Sequence, residues 1–128
     1  MLTNVTFTIG KEFHFSASHR LTHLGEDHKC YRLHGHNYRV VIHLSSVILD
    51  ENGFVIDYGD LRNFKAYIDN ELDHRHLNDV LGGPVQTTAE MIALHLFEWA
   101  REHYGDIVVG MRVEETPTTY AEVWTLDR

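Results

Sequence analysis

The sequence predicts an α+β fold, an antiparallel four-stranded sheet with two helices packed on one face. Two observations lead there: period-2 alternation of apolar residues near both ends of the chain, and two stretches of helical spacing between them. A third is the punctuation, because the few Gly and Pro signals separate short elements and no linker or internal repeat interrupts them. With 128 residues and 43% hydrophobic content, the chain suffices for one domain, 1–128, that buries a core without disulfides.

Phe7, Ile9, Phe13 and Phe15 occupy odd positions among polar neighbours, which predicts a half-buried strand running towards His19. Tyr38, Val40, Ile42 and Leu44 alternate in the same way and predict a second strand after a loop. The Glu51-Asn52-Gly53 turn then leads into Phe54-Val55-Ile56, which reads as a hairpin-like return. Leu61, Phe64, Ile68 and Leu72 recur at helical spacing, so a helix over about 60–72 is expected, with Asp60 as its cap. Thr87 and Glu90 have the spacing of a capping box before the stripe Ile92, Leu96, Trp99 and Ala100, which stops near Gly105. Ile107, Val109, Met111 and Val113 alternate again, and after the turn at 116–119 the residues from Tyr120 to Leu126 supply a partner strand. The order is therefore ββ, α, α, ββ. Four strands leave two open edges, and pairing with further copies in a barrel-like oligomer would close them.

Composition narrows the function. A formal net charge of −8 argues against binding a nucleic-acid backbone, which requires clustered Lys and Arg. The single cysteine, Cys30, excludes an intrachain disulfide, and the N-terminal residues show neither a signal-like leader nor a run long enough to cross a membrane. A soluble, cytoplasmic protein is expected. Eleven histidines are present, several of them crowded between His14 and His36.

His34-Gly35-His36 puts two imidazoles on the same face of an extended chain, and His19 would bring a third nitrogen from a neighbouring antiparallel strand. Three histidines leave a coordination position open, as in catalytic zinc sites. His14 and His43 have the wrong parity to join them, whereas His23 and His28 lie in a loop and remain competitors. Cys30, four residues before His34, has three readings: a fourth ligand of a closed site, an inert thiol, or an unligated thiolate that takes a proton beside a cation, Lys29 and Arg32. Asp73-His74 places a carboxylate beside an imidazole, a pair suited to proton movement, with His76 as an alternative to His74. Glu115 closes the odd-numbered row of the third strand and is a candidate buried or ligand-binding acid.

The segments FSASHRL (15–21), KCYRLHGHNY (29–38), GFVIDYGDL (53–61), LDHRHLN (72–78), TTAE (87–90) and VEETPTTYAE (113–122) together resemble the 6-pyruvoyl-tetrahydropterin synthase and 6-carboxy-tetrahydropterin synthase (QueD) family. That resemblance implies the T-fold, whose subunits form trimeric barrels and usually hexamers, as dimers of trimers, with active sites between subunits. By matching position it implies catalytic Zn2+ on His19, His34 and His36, Cys30 as proton acceptor, and Asp73 and His74 as a proton relay in preference to His76. It further implies that Glu115 anchors a pterin ring through two hydrogen bonds and that Thr88 helps hold the ring.

The implied substrate is 7,8-dihydroneopterin triphosphate. Side-chain cleavage with loss of acetaldehyde and triphosphate would give 6-carboxy-5,6,7,8-tetrahydropterin, towards queuosine and related deazapurines; loss of triphosphate with rearrangement would give the pyruvoyl product. The short chain and the forms KCYRLHGH and EETPTTYAE look more like the carboxy branch. Arg20, Lys29, Arg32 and Arg75 flank the site residues and are candidates for a positive mouth that receives the triphosphate. A non-catalytic zinc-stabilised binding module, closed by Cys30 and the three histidines, is the rival from another class.

Overall fold

In the computed structural model, residues 4–126 are described. Strand β1 (Phe7–His19) and strand β2 (His34–Ser46) pair antiparallel along their full length, from Phe7 opposite Ser46 to His19 opposite His34. Alternation does what the pattern predicts: Phe13, Phe15, Ala17 and His19 turn inwards from β1, and Tyr38, Val40, Ile42 and Leu44 from β2. Strands β3 (Val108–Thr116) and β4 (Thr119–Trp124) complete an antiparallel sheet in the order β1-β2-β3-β4.

Two irregularities in that sheet were not visible in the sequence. His43 lies opposite Gly110 but Leu44 lies opposite Val108, so Val109 is an extra residue and the parity of β3 flips there. Val108, Met111 and Val113 are buried as a result, in place of the expected row that ran through Ile107 and Val109. The second irregularity lies between Glu114 and Thr116, which face Tyr120 and Thr119 and leave Glu115 outside the regular ladder.

Phe54-Val55-Ile56 forms no return strand. The Asp50 carboxylate accepts from the Asn52 and Phe54 amides, and Asp50 N–H donates to the Phe54 carbonyl, so a local turn uses the groups that a ladder would need. Val55 and Ile56 pack instead against the core.

The helical stripe Leu61, Phe64, Ile68 and Leu72 is fully buried, as its spacing predicts. It is carried by a 3-10 turn at Tyr58–Leu61, helix α1 (Arg62–Tyr67) and a wider π turn at Ile68–Leu72. Asp60 is not the cap; the Asp57 side chain accepts from the Gly59 amide at 2.8 Å. The π turn closes with Asp73 N–H on the Ile68 carbonyl at 2.9 Å and delivers the chain directly to Asp73-His74. A short helix α2 (Leu77–Leu81), unpredicted, precedes helix α3 (Ala89–Tyr104). The cap of α3 is Thr88, whose Oγ1 accepts from the Met91 amide; Thr87, expected in that role, is buried one residue earlier. Gly105, at φ 79°, ends the helix.

Helices pack on one face of the sheet, for example through the edge-to-face pair Phe13 and Phe64, with centroids 5.2 Å apart. The opposite face carries ion pairs across all four strands: Arg39 pairs with Glu12 and Glu114, and Arg112 with Glu114 and Glu122. Among the described residues no helix is long and apolar enough to cross a membrane.

Candidate metal centre and catalytic cavity

Because His19 faces His34 at the end of the β1–β2 ladder and His36 lies two residues further along the same face, three imidazoles meet at one corner of the sheet. One nitrogen from each lies within 4.8 Å of the others, and the group contains these three histidines and not Cys30. Gly35 sits between two of them with room for little else, since an added Cβ would stand 3.1 Å from the Ala17 carbonyl oxygen of β1.

Hydrogen bonds select the nitrogens. His19 Nδ1–H donates to the Thr87 carbonyl at 2.7 Å, and His34 Nδ1–H donates to the Arg32 carbonyl at 2.7 Å, so each ring presents its Nε2 lone pair. His19 Nε2 is fully buried with no hydrogen-bond partner, a costly arrangement for a polar atom unless a ligand uses it. Burial holds the His19 pKa down to about 4, with the neighbouring His34 and His36 contributing, and burial lowers that of His36 as well. Burial therefore favours the neutral form of His19 and His36, the state in which imidazole binds a metal. Donor set, tautomers and charge all fit a divalent cation such as zinc, which needs nitrogen ligands and an open position.

The cluster lines a cavity of about 640 Å³ together with Leu21, Lys29, Cys30, Thr88, Glu90, Glu115 and Thr116. Glu115, released from the ladder by the bulge, sets Oε2 3.5 Å from His19 Nε2 and 3.4 Å from His36 Nε2. Its pKa is raised, first by burial and then by the nearby carboxylate of Glu90. Cys30 is held by its backbone: its N–H donates to His28 Nδ1 at 3.0 Å and its carbonyl accepts from Leu21 N–H at 2.8 Å. Predicted residues His19, His34, His36, Cys30, Glu115 and Thr88 thus share one cavity.

Asp73 and His74 do not. His74 lines a second groove with Ser16, His36, Asn37 and Arg75, so that His36 borders both spaces. Asp73 Oδ1 accepts from Ser16 N–H at 2.8 Å and Oδ2 lies 2.9 Å from His74 Nδ1, contacts that lower the Asp73 pKa in that order of importance. His74 adopts φ +60°, and its side chain is 82% exposed. His76 is engaged elsewhere, with Nδ1 3.0 Å from Ser18 Oγ.

The other histidine competitors are also placed. His14 pairs with Glu12 on the outer face, His43 packs on Trp124 with ring centroids 4.7 Å apart, His28 caps the Cys30 turn, and His23 is exposed. Of the four cations proposed for a positive mouth, Lys29 lines the cavity and Arg32 is exposed outside its lining, while Arg20 donates to the Tyr31 carbonyl and lies over its ring, and Arg75 donates to the Asn70 carbonyl. Sequence reasoning missed Glu90, named only as half of a capping box, and Thr87, whose carbonyl orients His19; adjacent threonines before a helix carry no signal that separates the two roles.

Residues 8–125 match the family described as 6-pyruvoyl tetrahydropterin synthase. A 6-carboxy-5,6,7,8-tetrahydropterin synthase of Synechocystis is 38% identical, covering 91% of this chain and 92% of its own length. One of the same description from Haemophilus influenzae is 31% identical, covering 91% and 97%. Among solved structures, the 6-pyruvoyl tetrahydropterin synthase of Caenorhabditis elegans superposes with a TM-score of 0.84 at 25% identity over 98% of this chain and 99% of that one. An uncharacterized protein of Wolinella succinogenes does so with 0.82 at 25% identity over 94% and 99%.

Proposed function

Because this chain belongs to the 6-pyruvoyl tetrahydropterin synthase family, we propose that it converts 7,8-dihydroneopterin triphosphate into 6-carboxy-5,6,7,8-tetrahydropterin with release of acetaldehyde and triphosphate, on the route to queuosine. The observation that carries this reading is a three-histidine cluster that excludes the thiol beside it: Cys30 lines the same cavity but is not a member of the ligand group. An open metal position beside a free thiol suits catalysis better than a closed structural site. The carboxy product is favoured because the relatives at 31% and 38% identity carry that description.

His19, His34 and His36 would hold zinc, which supplies Lewis-acid polarisation of the substrate's side-chain hydroxyl oxygens when bound. The chain's own groups do the rest. Glu115 accepts two N–H hydrogen bonds from the pterin ring and so fixes its depth in the cavity, and Thr88, at the first turn of α3, borders the same space. Cys30 takes the proton from the side-chain carbon. Asp73 orients His74 through the 2.9 Å contact at Nδ1 and leaves Nε2 to exchange a proton. Lys29 meets the triphosphate electrostatically.

Within one chain His74, which Asp73 contacts, opens onto a different groove from Cys30. We assign it to the site of an adjoining subunit in a barrel closed through the outer edges of β4 and of β1 ahead of Ser16, where residues 74–76 begin to bridge that edge, and propose a cytoplasmic homohexamer built as a dimer of trimers.

Mass-spectrometric analysis of products formed from 7,8-dihydroneopterin triphosphate by zinc-loaded protein tests the reaction. Acetaldehyde with 6-carboxy-5,6,7,8-tetrahydropterin is expected. A pyruvoyl product would transfer the chain to the sister activity, and absence of turnover with zinc retained would favour a zinc-stabilised binding module.

A further inference from the structure

Asn78 lines neither the cavity nor the three-histidine group, yet its side chain ties the residue after His19 to Thr87. Its Oδ1 accepts from the Arg20 amide at 2.9 Å, and its Nδ2 donates to the Arg20 carbonyl at 2.8 Å. Both backbone groups of the residue after His19 are thereby fixed by one amide. Thr87, fully buried, sits against the same pair: its Oγ1 lies 3.4 Å from Asn78 Oδ1 and 3.4 Å from the Arg20 carbonyl. That hydroxyl also accepts, with the Thr87 carbonyl, the Nδ1–H of His19, at 3.2 and 2.7 Å. Beyond Arg20, its guanidinium holds the Tyr31 carbonyl and Leu21 N–H holds that of Cys30.

We infer that Asn78 is a positioning residue for the metal centre, acting through Arg20 and Thr87 to hold the tautomer and aim of His19; this rests on the zinc reading above. The end of β1 meets here helix α2 and the turn before α3, which lie more than fifty residues further along the chain. No backbone ladder joins β1 to Thr87, so side-chain bonds must set how the Thr87 carbonyl faces His19 Nδ1. Groups that orient a ligating imidazole in this way govern metal affinity as well as geometry. The register of α2 makes the link specific, because Asp79, the next residue, is exposed.

The test is zinc affinity, measured by competition with a chromophoric chelator, together with the rise in melting temperature on adding zinc. Wild-type protein, Asn78→Ala, Asn78→Asp and the control Asp79→Ala are compared. Loss of at least about tenfold in affinity for Asn78→Ala, a smaller loss for Asn78→Asp, which keeps the acceptor for Arg20 N–H, and none for Asp79→Ala are expected. The zinc-dependent rise in melting temperature should shrink in parallel. If Asn78→Ala does not fold, Asn78→Asp and a Thr87→Ser, Thr87→Val pair decide, serine retaining affinity better than valine. A purely structural Asn78 would lower the melting temperature of stripped and loaded protein equally and leave affinity unchanged, which overturns the inference. Wild-type protein that fails to bind zinc would instead remove the metal reading, and this inference with it.

Discussion

His19, His34 and His36 converge within one chain, at the paired ends of two strands, with two rings locked by backbone carbonyls and the innermost fully buried. One groove away, the Asp73–His74 pair has an orienting carboxylate and an imidazole that is 82% exposed, on a residue at φ +60°. The first region is finished by its own fold. The second spends backbone strain to present a ring outwards, which makes chemical sense when another surface covers it. On the proposed reading the labour is divided: metal ligation, which needs three nitrogens held to a fraction of an ångström, would rest on strand register, whereas the proposed proton relay would rest on a loop and be offered to a neighbour.

The largest effect that would sharpen this contrast is Cys30→Ala. Turnover should fall by about 10²–10⁴-fold, as for removal of a proton-transfer group, while bound zinc measured by elemental analysis is retained. Loss of zinc from that variant would show Cys30 to be a ligand and merge the two kinds of site.

Acidification should weaken the buried region through His19. Its pKa falls from 6.5 to about 4 on folding, so between those values the unfolded chain binds a proton that the folded chain refuses. Stability of metal-stripped protein is complete above pH 6.5 and lost as pH falls towards 4, by up to about 3 kcal/mol from this residue. His36, also lowered by burial, acts in the same direction, and Glu115, raised by burial, acts in the opposite one. Urea unfolding from pH 7 to 4 measures the sum, and the same titration of Glu115→Gln removes the opposing group; a flat profile in that variant would mean that His19 and His36 are not desolvated.

Gly35→Ala forces a methyl group towards the Ala17 carbonyl between His34 and His36. A loss of about 1–3 kcal/mol in stability is expected from the misfit, with weaker zinc binding, both read by thermal unfolding with and without metal. The smallest effect has the opposite sign. His74→Gly relieves a left-handed residue and should raise stability by up to about 1 kcal/mol while turnover drops, whereas the same change in a structurally essential histidine would destabilise.

Much of this was readable beforehand, for identifiable reasons. Alternation placed β1 and β2 and turned His19, His34 and His36 to one side, because side-chain parity is local. The helical stripe from Leu61 to Leu72 was equally plain. What escaped depended on partners. The bulges beside Leu44 and at Glu115 arise from register against a neighbouring strand, which no single strand records. The turn at Asp50 overrode an apolar run because one carboxylate satisfied two amides. Thr87 and Thr88 exchange roles between ligand support and helix cap, and residue type alone does not distinguish them. Cys30 and His74 had competing readings in the residues themselves, and the family resemblance, more than spacing, chose among them.

Subunit mixing tests most directly whether one site is assembled from the cavity of one chain and the relay of another. Inactive Cys30→Ala and His74→Ala proteins are unfolded together, refolded as mixed oligomers and assayed with 7,8-dihydroneopterin triphosphate. Random assembly should restore about a quarter of the sites, those pairing an intact Cys30 with a neighbour's intact His74. If mixed oligomers form and remain inactive, Asp73 and His74 serve the cavity of their own chain or none, and the division between the two regions is wrong.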